Sequence, residues 1–78
     1  MRSALDMSVG QILTEARWAQ DRAQRGGLPG FRARQLADRL QAGVNGVEFR
    51  LRSLVQAGVV QEIRYAGAPR YRVTEPRR

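Results

Sequence analysis

LRSLVQAGVV, residues 51–60, decides how the rest of this chain is read. Leu51, Leu54 and Val55 continue an apolar stripe that starts at Val47, at spacings of four, three and one. That is the period of an α-helix packed along one face. Gly58 stands where such a helix closes through a left-handed residue just past its end. From Val59 the period changes to two. Val59, Ile63 and Tyr65, then Tyr71 and Val73, alternate with polar residues. Residues 59–65 and 70–74 therefore read as two strands, with Ala66, Gly67, Ala68 and Pro69 as the turn between them. The last four residues, EPRR, read as a frayed tail.

Upstream, FRARQLADRL at residues 31–40 carries a second helical pattern, with Leu36, Ala37 and Leu40 on its apolar face. QAGVN at 41–45 is the short turn that follows. The start of the third helix has two candidate caps, Gly43, or Asn45 with Glu48 closing an Asn-x-x-Glu box. The first helix is signalled by Ser8 with Gln11 as a capping box, and by Met7 with Ile12 as a hydrophobic staple. Val9, Ile12, Leu13, Ala16, Ala19 and Ala23 form its apolar face, which predicts a helix over residues 9–24. GGLPG at 26–30 breaks it. The order is helix, short strand, helix, helix, hairpin. The fold class expected is mainly α with a small β-hairpin (α+β), in one domain over residues 1–78.

Composition removes most chemistries. The chain has no cysteine and no histidine. Disulfides, His/Cys metal sites, cysteine nucleophiles and histidine general bases are therefore excluded. The seven carboxylates are scattered without a paired spacing, and RGGLPG lacks the lysine of a phosphate-binding loop. No enzyme activity, cofactor or metal is expected. No apolar run approaches the ~20 residues of a membrane span or forms a signal peptide, so a cytoplasmic protein away from membranes is expected. All fourteen basic residues are arginine, and the net charge is +7. Residues 1–24 are neutral overall, so the whole surplus lies from Arg25 onward. A polyanionic partner is the physical expectation.

From Phe31 onward the chain resembles the winged helix-turn-helix domains of bacterial and archaeal transcriptional regulators, the broad kind that includes MarR-, ArsR- and PadR-type repressors. FRARQLADRL resembles that family's first strand residue and the helix before the turn. LRSLVQAGVV resembles the end of its recognition helix, and APRYRVTE at 68–75 its returning wing strand. The resemblance covers residues 31–75. It implies a three-helix winged helix-turn-helix, with the helix-turn-helix at about 32–57 and the wing at about 59–74. It also implies sequence-specific binding of double-stranded DNA by a small transcriptional regulator on the nucleoid.

In such a domain the third helix enters the major groove and the wing reaches phosphates. The outward positions of that helix are Asn45, Gly46, Glu48, Phe49, Arg50, Arg52 and Ser53. Arg50 or Arg52 suits guanine and Asn45 suits adenine. Arg64, Arg70 and Arg72 on or beside the wing are expected at phosphates, as are Arg32 and Arg34 at the start of the second helix. Two features depart from the pattern, the residue at the start of the second helix and the set Gly46, Glu48 and Phe49, which stands where polar or basic contacts are expected. Arg32 stands where Ser or Thr usually caps the second helix. Glu48 repels phosphate unless it accepts from a cytosine amino group or closes a cap. Phe49 touches a thymine methyl, packs under the wing, or belongs to a protein interface. The alternative function is accordingly a protein-interaction module or assembly adaptor that binds no DNA. Trp18 falls on the polar side of the first helix, among Gln11, Thr14, Asp21 and Arg22. It marks either an interface, for a homodimer or another protein, or a ring covered by the C-terminal tail or a loop.

Overall fold

Residues 3–74 are described by a computed structural model. A 3-10 turn, Ala4–Asp6, leads into three helices, α1 (Val9–Arg25), α2 (Ala33–Leu40) and α3 (Val44–Gln56). Two antiparallel strands follow, β1 (Val60–Tyr65) and β2 (Ala68–Val73). This is the topology of a winged helix, mainly helical with a small hairpin. The expected tail at residues 75–78 lies outside the described residues.

The helix ends follow from their sequences. The Ser8 hydroxyl accepts the Gln11 amide at 3.1 Å, as the capping signal predicts. Arg32, at the N-cap position of α2, contributes no side-chain cap; instead the Gln35 side chain accepts the Arg32 amide at 2.9 Å. That reverse half of a capping box compensates for the missing Ser or Thr. Gly43 caps α3, which leaves Asn45 inside its first turn. At the far end of α3 the Val59 amide bonds the Leu54 carbonyl and the Gly58 amide the Val55 carbonyl, with Gly58 at φ 82°. This is the paired-bond ending that favours glycine. α2 ends the same way, Ala42 to Ala37 and Gln41 to Asp38, but the left-handed residue is Gln41 at φ 55°.

One cluster of buried side chains runs through every element, with Ile12, Phe31, Leu36, Val47 and Leu51 enclosed most completely. Ala16, Ala19 and Ala23 make the inner face of α1, so its backbone lies close to α2 and β2. Val9, expected on that face, is exposed, and Leu13 is only half-buried. Val9 and Leu13 flank a face centred on Ile12, Ala16, Ala19 and Ala23.

The hairpin corrects two expectations. Its turn is two residues, not four: Ala66 and Gly67 both take positive φ, 53° and 79°. A two-residue turn of that hand matches the twist of the strands, so Ala68 and Pro69 join β2. On β1 the inward face is also shifted by one, whereas Tyr71 and Val73 of β2 face the core as expected. Val60 pairs with Val73 and Glu62 with Tyr71, and Val60, Tyr71 and Val73 face the core. Ile63 is half-buried and Tyr65 exposed, on the opposite face with Arg70. Two adjacent valines offer two starting phases, and a slip of one residue moves a whole strand to its other face.

Phe31 supplies a third, single-residue strand. Its amide and carbonyl pair with those of Tyr71 at 2.9 and 2.7 Å, and the two rings lie 6.1 Å apart. Immediately before it, Gly30 is buried so tightly that a Cβ there would collide with the Tyr71 carbonyl. Gly30→Ala is therefore expected to lower unfolding stability by about 1–3 kcal/mol, the usual cost of overpacking. A urea melt with an unchanged midpoint would contradict this crossing.

Candidate nucleic-acid interface

α3 presents a free face. Asn45, Phe49, Arg52 and Gln56 recur at spacings of four, three and four, and all are exposed. Glu48 and Ser53 flank this row and are also exposed. Phe49 is 56% exposed, so it does not pack under the wing.

Arg50 does not share that face. Its Nη1 donates to the carbonyls of Ala4, Leu5 and Met7 at 3.0, 3.3 and 2.9 Å. The side chain is half-buried and holds the N-terminal turn against α3. Gly46, one turn earlier, lies against the same turn: a Cβ there would sit at ordinary contact distance, 3.5 Å, from the Ala4 methyl. The expected outward arginine is thus a clamp on the Leu5 and Met7 carbonyls, and it shares the Ala4 carbonyl with the Met7 amide.

Arg70 is drawn inward in a similar way. Its Nη1 donates to the Gly30 carbonyl at 2.9 Å, and its guanidinium lies 5.8 Å from the Tyr65 ring. Its Nε is buried without a hydrogen-bond partner among the described residues. Arg70 braces the loop that crosses β2. Arg72 is exposed and donates to Gln61 across the hairpin at 3.2 Å, and Arg64 is exposed on β1.

Arg32 and Arg34, both exposed, line a groove of about 200 Å³ with Glu48, Pro69 and Tyr71. The start of α2, the first half of α3 and the returning strand meet there. Burial raises the Tyr71 pKa above its ordinary value, and Glu62 and Glu48 add to the shift against an opposing contribution from Arg52. The phenol therefore stays neutral and a hydrogen-bond donor at physiological pH. Glu48 belongs to this groove, beside two arginines, as well as to the edge of the α3 face.

Trp18 lies elsewhere, on the seam between α1 and α2. It is 42% exposed, with the Arg39 guanidinium 3.7 Å and that of Arg22 5.1 Å from its ring centre. Glu15 pairs with Arg39 at 2.6 Å and Asp21 with Arg25 at 3.0 Å. Beside the ring runs an open trough of about 680 Å³, floored by Ala23 and Leu28. The guanidiniums over the ring come from both helices, Arg22 of α1 and Arg39 of α2. The tail considered as a lid lies outside the described residues. Gln20 and Arg39 were not singled out from the sequence. Gln20 accepts the Val73 amide at 2.6 Å and so ties α1 to the wing. Neither residue carries a local signal, because their partners lie on other elements.

No known family, curated protein or solved structure matches this chain. Among the described residues no helix is long and apolar enough to cross a membrane, and no cluster of acidic side chains is arranged to hold a metal ion.

Arg50→Ala leaves the Leu5 and Met7 carbonyls of the N-terminal turn without their donor. It is expected to cost about 1.5–3 kcal/mol of stability and to speed amide exchange over residues 3–7. Unchanged stability with unchanged exchange would show that the clamp is idle.

Proposed function

We propose that this domain binds double-stranded DNA sequence-specifically, as a small non-catalytic regulator of transcription acting on the nucleoid in the cytoplasm. One observation carries the reading. The exposed face of α3 is bordered by Arg32 and Arg34 at the start of α2, while Arg64 and Arg72 stand exposed on the hairpin that follows it. A helix of this kind fits the major groove, and arginines beside it neutralise phosphates. With Arg50 and Arg70 engaged in the fold, the phosphate contacts fall to Arg32, Arg34, Arg64 and Arg72, and base contact to Arg52.

Phe49 and Glu48 favour a second reading, a winged-helix adaptor that docks on protein. An exposed aromatic beside a carboxylate suits a protein interface better than a phosphate surface. Trp18 supports a further element of the proposal, a homodimer through α1 and α2. Around its ring Glu15, Asp21 and Asp38 balance Arg22, Arg25 and Arg39, so this patch lacks the self-repulsion expected of a chain with net charge +7. Two copies joined there would engage two half-sites in one event. Light scattering tests it: a two-chain mass that falls to one chain in Trp18→Ala is expected, and a wild-type monomer at tens of micromolar protein would remove the dimer.

Binding to random duplexes, followed by fluorescence anisotropy across a salt series, separates DNA from protein binding. Four or five arginine contacts give a log–log slope of roughly −4, and Arg64→Ala should reduce it by about one. No binding near ~50 mM salt would overturn the DNA reading and leave the adaptor.

A further inference from the structure

We infer that Phe49 is a specificity-determining residue that selects a thymine methyl, in the middle of a reading row formed by Asn45, Phe49 and Arg52. The inference rests on the duplex-DNA reading and names what that surface would prefer.

Spacing sets the row. At about 1.5 Å per residue, Phe49 lies about 6 Å beyond Asn45 along α3, and Arg52 about 4.5 Å further. The total of about 10.5 Å matches roughly three base-pair steps of about 3.4 Å each. Other side chains nearby are occupied or aside. Arg50 is turned to the N-terminal turn, Glu48 faces the groove of Arg32 and Arg34, and Ser53 is short. The centre of the row is therefore apolar, and its ring is more than half exposed in the free protein.

An apolar ring set against base edges has one strong partner. In the major groove the C5 methyl of thymine is the apolar group that distinguishes a base pair, and every other distinguishing group is a donor or acceptor. Against those polar edges Phe49 would displace water without replacing its hydrogen bonds, which disfavours them. Asn45 on one side suits adenine through N6 and N7, and Arg52 on the other suits guanine through O6 and N7. The preferred element is thus about four base pairs, with adenine at the Asn45 end, thymine between and guanine at the Arg52 end.

The test uses the whole chain, selected first against random duplexes and then probed by one atom-scale change. Each thymine of the selected duplex is replaced in turn by 2′-deoxyuridine, which keeps the pairing and removes only the methyl. Losing contact with one methyl-sized group is expected to weaken wild-type binding about threefold to fivefold at one position. Phe49→Ala is expected to bind the thymine duplex as weakly as the wild type binds the uracil one, and to treat both duplexes alike. Its thermal midpoint serves as the control for folding, since the ring is exposed. Wild-type binding that ignores uracil at every thymine would overturn the assignment, as would a Phe49→Ala variant that keeps the sensitivity. A wild type that binds no duplex fails at the selection step, which overturns the DNA reading itself and assigns Phe49 to a protein surface.

Discussion

The crossing of Gly30 and Phe31 over Tyr71 is the constraint on which the arrangement of α2, α3 and the hairpin depends. It joins the middle of the chain to its last strand through two backbone hydrogen bonds, and it tolerates no side chain at position 30. Because α2 starts two residues later, the crossing sets where Arg32 and Arg34 lie relative to the hairpin. Arg70 reinforces it from the far side of β2 by holding the Gly30 carbonyl. The groove shared by α2, α3 and the returning strand follows from that single close approach.

Arginine does two kinds of work in this chain. Its guanidinium is planar and carries several donors, so one side chain can satisfy a group of backbone carbonyls as readily as it meets a phosphate. Arg50 does the first at the N-terminal turn, and Arg70 does it at the loop. Arg39 stacks on an indole while pairing with Glu15. Formal charge thus overstates the cationic surface open to a partner: part of the surplus is consumed in holding the fold.

What could be read from the sequence was local. Ser8, Gly58 and the Val47–Leu51–Leu54 stripe report caps and a helical period that depend only on near neighbours, and all three hold in the structure. The three-helix and hairpin order followed from them. The inward face of β1 was misread because Val59 and Val60 are equally apolar, and only packing against α3 and the rest of the core selects Val60. At the candidate site, the exposure of Asn45, Glu48, Phe49, Arg52 and Ser53 was legible from the helix period. The withdrawal of Arg50 was not, since its acceptors lie more than forty residues away in sequence. Arg70 was hidden by the same kind of distance.

Gln41 sets an energetic balance in the turn between α2 and α3. A left-handed conformation costs a residue with a side chain about 1–2 kcal/mol, which glycine would not incur. Glycine would, however, open many more backbone states to the short link between α2 and α3. With glutamine, fewer backbone states are open to that link before the chain folds. The turn therefore forms with less loss of chain freedom than a glycine link would incur, set against the local strain of its positive φ.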